Sequence, residues 1–179
     1  MTRWGSERGT TLLEVMIAAG LLMTLMAGLM SMTALSITTT ENQGHLAART
    51  TEYAQDKMEQ LLALSYGDTS SDTRSFPAAA SGGSGLAVGG SYDVDNPVAL
   101  YVDYLDVSGN LCGTTGAACA APVGTTAPDD WFYKRVWKVE SPAGTTNLKQ
   151  ITVAATVARG FGHANRPVSY LTVLKTSPF

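Results

Sequence analysis

The chain has 179 residues, of which 45% are hydrophobic and only 15% charged, against about 25% charged in an ordinary soluble domain. Mean hydropathy near zero argues against a polytopic membrane protein, and a formal charge of −3 argues against a polyanion binder held by bulk electrostatics. Length allows one ordinary domain with an appendage, and two cysteines and two histidines leave little material for a metal centre.

The charge is unevenly spread. No charged residue lies between Glu14 and Glu41, a gap of 26 positions. Its apolar part, Val15 to Ile37, is long enough to span about 30 Å of hydrocarbon as a helix. A secretory signal peptide carries an apolar region of about 7–15 residues, so this run is too long for one. No cysteine follows it closely, which excludes a lipoprotein anchor. Arg3 and Arg8 precede the run, and the first basic residue beyond it is Arg49. Positive charge stays on the cytoplasmic side, so the amino end is expected inside and everything after about residue 40 outside. Cys112 and Cys119 then fall in an oxidising compartment.

The helical pattern continues past the apolar run. Leu46, Tyr53, Met58, Leu61, Leu62 and Leu64 are spaced mostly by three, four or seven. Glu52, Asp56 and Glu59 lie largely on another face, with Arg49 and Lys57. Tyr66-Gly67-Asp68 supplies a stop. One nearly continuous helix is expected from Thr11 to Ser65, about 80 Å long. Gly20, Gly28 and Gly44 are its weak points, and the alternative is two helices broken near Gly44.

Residues 68–96 read as loop, with a Gly/Ser-rich core at 78–92 expected to be a flexible surface connection. It lacks the Gly-Lys-Ser/Thr ending of a phosphate loop. Four strands are then expected: Val98–Val107, Trp131–Val139, Leu148–Ala158 and Val168–Lys175. Turns at Ser141–Gly144 and Arg159–Gly162 make the last three an antiparallel meander. In the third strand, Ile151, Val153, Ala155 and Val157 face one way and Thr152, Ala154 and Thr156 the other. Such a sheet has one apolar face needing cover, and the amphipathic half of the helix is the obvious cover. The expected fold class is α+β.

The amino end carries the most specific motif. Arg8-Gly9-Thr10-Thr11-Leu12-Leu13-Glu14-Val15 combines a basic leader, a glycine, a glutamate five positions on and an apolar helix. This resembles the class III signal of type IV prepilins and pseudopilins, commonly Gly-Phe-Thr-Leu-Ile-Glu-Val. The resemblance implies cleavage after Gly9 by a prepilin peptidase on the cytoplasmic face and N-methylation of Thr10. Glu14 becomes the fifth mature residue, as the family requires. Thr10 stands where an aromatic residue is usual, and Ser31 where many major pilins carry a proline. Glycine at the scissile position lets the backbone enter a protease cleft without a side-chain clash. A carboxylate in an apolar helix costs about 2.5–3.5 kcal/mol at the bilayer centre, less near the end, and needs a partner. In the family that partner is the terminal amine of a neighbouring subunit, and the pairing sets axial register.

The segment Ala54-Gln55-Asp56-Lys57-Met58-Glu59-Gln60-Leu61 is similar to the helix end of PilV-type minor pilins. The resemblance is firm over the first 66 residues and loose beyond. It implies a leader (1–9), a membrane and filament-core helix (10–40), an amphipathic half (41–66) and an exported β-rich domain (67–179) in a type IV pilin-like fold. The implied function is that of a structural minor pilin, stored in the bacterial inner membrane and then carried in a surface pilus. Its partners would be other pilins, the prepilin peptidase and the assembly platform. The alternatives are a pseudopilin of a type II secretion or DNA-uptake system, and a membrane-tethered adhesin.

Other constellations carry less. Cys112 and Cys119 enclose six residues, and a local disulfide is expected ahead of free thiols or metal ligation. Asp93, Asp95, Asp103, Asp106, Asp129 and Asp130 offer oxygen ligands for calcium but do not match an EF-hand loop. Lys134, Arg135 and Lys138 with Trp131, Tyr133 and Trp137 suit DNA or glycan stacking, though alternating strand packing explains them more cheaply. His45 and His163 are isolated and expected at the surface. No nucleophile-elbow context surrounds any serine. Neither catalysis, a metal nor a cofactor is expected.

Overall fold

The fold is described from a computed structural model, which covers residues 11–158 and 166–177. One helix, α1, runs without interruption from Leu12 to Ala63, 52 residues, straight through Gly20, Gly28 and Gly44. None of these three glycines has a neighbouring group within 4 Å of where a side chain would begin. By its contacts the chain divides into two units, Met1–Glu41 and Asn42–Phe179.

Within the second unit, five strands form an antiparallel sheet: β1 (Gly89–Gly90), β2 (Val102–Leu105), β3 (Tyr133–Glu140), β4 (Leu148–Val157) and β5 (Val168–Thr176). The last three form the expected meander, in the registers Trp137↔Val153 and Val153↔Leu171. Both β1 and β2 lie on the outer edge of β3, β1 against its end and β2 against its start. The first expected strand is much shorter than its period-two pattern suggested. Residues 98–101 turn instead, with Leu100 at a φ of 70°. The Arg159–Gly162 turn lies outside the described residues.

One face of the sheet packs against the carboxy-terminal half of α1. Ala54, Met58 and Leu61 from the helix meet Trp137, Val139, Ile151, Val153 and Ala155 from the strands. Burial of such side chains contributes about 1.5–3 kcal/mol each. A second cluster joins Leu46 to Leu105, Tyr133 and Val157.

Part of the other face is covered as well, beyond the one-apolar-face expectation, while Tyr170 and Leu174 of β5 stay exposed on it. Ala154 is fully buried there with Val102, Tyr104 and Val136, under Val94, Cys112 and Cys119. Thr156 is buried too, its hydroxyl donating to the Pro167 carbonyl. The Gly/Ser-rich stretch is likewise no mere surface connection. Leu86 is fully buried in the helix-facing core, and Gly89–Gly90 pairs with Val139 and Lys138. Gly90 takes a φ of +82°, and a Cβ there would lie 2.2 Å from the Trp137 carbonyl oxygen. Only glycine fits both demands.

Candidate functional site

The first candidate is the start of α1. Thr11 stands just before the helix and accepts from the Glu14 amide through Oγ1 at 3.3 Å, while its carbonyl accepts from Val15. Glu14 is therefore the third helical residue, in the Thr-x-x-Glu spacing of a capping box. An acid also suits the positive end of the helix dipole there. Glu14 thus has a local structural role that the prepilin resemblance alone did not supply, although the spacing was legible. From Leu12 to His45 every side chain is exposed, including all the large apolar ones up to Ile37. The helix is long and apolar enough to cross a membrane. Gly9 and Thr10 lie outside the described residues.

The second candidate was not foreseen. Lys57 does not sit on the charged face with Arg49; it is fully buried. Its Nζ donates to the Asp103 carboxylate at 2.8 Å and to the Thr73 carbonyl. It also lies 4.1 Å from the centre of the Trp137 ring, a cation–π contact. Position 57 is three residues after Ala54 and four before Leu61, so it falls on the buried stripe after all. The signal was present, but a lysine read as polar hid it.

Asp103 and Arg135 are directly opposed in the β2–β3 register. Arg135 makes a bidentate pair with Asp103 at 2.8 and 2.9 Å and reaches Asp56 on α1 at 2.8 Å. Two cations and two carboxylates therefore tie helix, β2 and β3 together, with only Asp56 substantially exposed. Burial pushes the Lys57 ammonium down to about 8, with the Asp103 charge acting in the opposite sense. Burial pushes the Asp103 carboxyl up, but Arg135 and Lys57 outweigh it and hold it below the usual carboxylate range.

Two more lysines close the helix end. Lys149 and Lys175 are cross-strand partners on β4 and β5. Lys175 donates to the Leu62 and Leu64 carbonyls, each at 2.6 Å, and Lys149 to those of Tyr66 and Leu86 at 2.8 Å. The last turn of α1 has no basic residue of its own. The strands supply the positive charge that the carbonyl end of a helix favours.

Cys112 and Cys119 form a disulfide, with Cα atoms 4.8 Å apart. The segment is held by Asp106, which accepts from the amides of Ser108, Asn110 and Ala118. The remaining candidate aspartates are not gathered. Asp103 is committed to its ion pairs, Asp93 accepts from Asp95 and Asn96, and Asp95 pairs with Arg166. Among the described residues no group of three acidic, histidine or cysteine side chains could hold a metal ion. The basic-aromatic row on β3 is not a stacking platform. Tyr133, Arg135 and Trp137 face the helix and are buried, and Lys134 is buried beside Trp131. His45 is exposed, and His163 lies outside the described residues.

No protein-family model, curated protein or solved structure matches the chain.

Proposed function

We propose that this chain is a pilin-like structural subunit, a minor pilin of a type IV pilus, with no enzymatic activity of its own. The observation that carries this reading is the uniformly exposed apolar surface of α1 from Leu12 to Ile37, with a single acid, Glu14, in its first turn. A helix apolar all round must be surrounded by lipid or by other helices. In storage the surround is the inner membrane, with the amino end cytoplasmic and the sheet outside. In the filament it is the helices of other pilins.

In this reading a prepilin peptidase cleaves after Gly9, and Thr10 becomes the methylated terminus. Glu14 then pairs with the terminal amine of a neighbouring subunit and sets the axial register. Both charges are neutralised where water is scarce. The disulfide agrees with an exported domain. The pilin-like fold is supported by the long helix whose second half packs on a small antiparallel sheet. A pseudopilin of a secretion or DNA-uptake system shares this chemistry and differs in the filament that receives it. A membrane-tethered adhesin would use the helix as an anchor only.

The test is mass spectrometry of the amino terminus of the chain purified from its membrane. N-methylated Thr10 is expected; a chain still beginning at Met1, or cut elsewhere, overturns the reading.

A further inference from the structure

We propose that the cleft between the end of α1, β2 and the loop after the helix binds a neutral saccharide. The cleft has a volume of about 320 Å³, within the range of small-molecule sites. Asp56 and Gln60 from α1 line it together with Asn110 and Leu111. Phe76 stands at the rim, 73% exposed. A recess of about 240 Å³ shares Ser75 and Leu111 with it and extends it.

Three features define the ligand chemistry. First, the charges that line it are balanced: Arg135 pairs with Asp56 at 2.8 Å, and behind them the buried Asp103 is shared by Arg135 and Lys57. The cleft offers no net charge to a phosphate, a nucleic acid or a cation. Second, its open polar groups are neutral amides that offer both an acceptor and a remaining N–H donor. Gln60 donates through Nε2 to Asp56 and Asn110 through Nδ2 to Asp106, which leaves Oε1 and Oδ1 without partners among the described residues. Thr73 also lines the cleft, and its buried hydroxyl has no hydrogen-bond partner among the described residues. Such a group is costly unless something satisfies it. Third, an exposed aromatic ring beside these amides matches a ligand with an apolar face and several hydroxyls. A sugar ring has both. Every residue involved lies between Asp56 and Arg135, so the site does not depend on the pilin reading.

The experiment uses the full chain in a zwitterionic detergent without a sugar headgroup. It is screened against immobilised neutral hexose and N-acetylhexosamine oligosaccharides, with sialylated glycans and a DNA oligonucleotide as separate arms. Retention on a neutral saccharide is expected, weakened at least tenfold by Phe76→Ala and by Gln60→Ala. Thr73→Val should weaken it while leaving the melting temperature unchanged or higher, and Tyr170→Ala, on the opposite face of the sheet, should not affect it. Absence of neutral-saccharide binding, preference for the sialylated or DNA arm, or binding indifferent to both Phe76→Ala and Gln60→Ala overturns the proposal.

Discussion

The Lys57 ammonium and the Asp103 carboxylate lie 2.8 Å apart with side chains 0% and 1% exposed. The pair joins the helix to the sheet at a point where neither charge can reach water. Losing one partner of such a pair is far more costly than replacing both. Asp103→Ala leaves the buried Lys57 without a carboxylate and Arg135 with only the exposed Asp56, and is expected to cost about 3–5 kcal/mol. Lys57→Met leaves Asp103 still paired with Arg135 and is expected to cost about 1–2 kcal/mol. Denaturant unfolding of both variants at pH 7 measures the difference; equal costs would argue against the shared-carboxylate arrangement.

The same burial makes stability depend on pH. Lys57 loses its proton near pH 8 in the folded chain but at about 10.4 when unfolded. Between those values the unfolded chain binds more protons, so this group's contribution to stability rises with pH. The penalty for carrying a buried ammonium is full below about pH 8 and gone above about 10.4. Wild type should therefore gain stability relative to Lys57→Met between pH 8 and 10. A constant difference across that window would show Lys57 to be solvated. At the acid end the Asp103 contribution has the same slope, rising with pH. It is present above the ordinary carboxylate range and is lost as pH falls through the depressed folded value.

Glu14 has two candidate roles that one substitution separates. A capping box accepts glutamine as well as glutamate, so Glu14→Gln should leave helix content in micelles unchanged. Register pairing with an amine needs the charge. Under the proposed function, Glu14→Gln and Glu14→Ala both abolish filament incorporation while membrane insertion persists. Incorporation of Glu14→Gln at the wild-type level would reduce Glu14 to a cap. Thr11→Ala removes the other half of the box and is expected to fray the first turn, at about 0.5–2 kcal/mol.

The Cys112–Cys119 bond closes a short loop, for which chain entropy contributes about 2–3 kcal/mol. Its removal should act on one face only. With Cys112→Ala and Cys119→Ala together, hydrogen exchange is expected to quicken at Val102 and Tyr104, which share a cluster with the two cysteines. Exchange at Ile151 and Val153, in the helix-facing core, should change little. Uniform loosening would mean that the two faces unfold as one.

Lys175 caps α1 from a strand 111 residues away in sequence. Lys175→Met keeps the stem and removes both bonds to the Leu62 and Leu64 carbonyls. An expected loss of about 1–2 kcal/mol, seen as a lower unfolding midpoint, reflects hydrogen bonds from a charged donor to a partly solvated helix end. An unchanged midpoint would mean that water caps the helix equally well.

Much of this architecture is local and was legible in the residues. The apolar run specifies a helix long and apolar enough to cross a membrane. Alternation in Leu148–Val157 and Val168–Thr176 specifies strands, because period two and period 3.6 are properties of a few neighbouring residues. What only the tertiary structure decided is where the polar exceptions go. Lys57 is buried because Asp103, 46 residues on, and Arg135 beyond it are brought to the same point by strand pairing. Ala154 is buried because the disulfide segment folds over its face. Leu86 and Gly90 leave the apparent loop because the edge of β3 still had backbone groups to pair and a core position to fill. Local patterns carry the preference of each segment, but the free energy of burying a charge or a turn depends on which distant group meets it, and that is set only when the chain closes on itself.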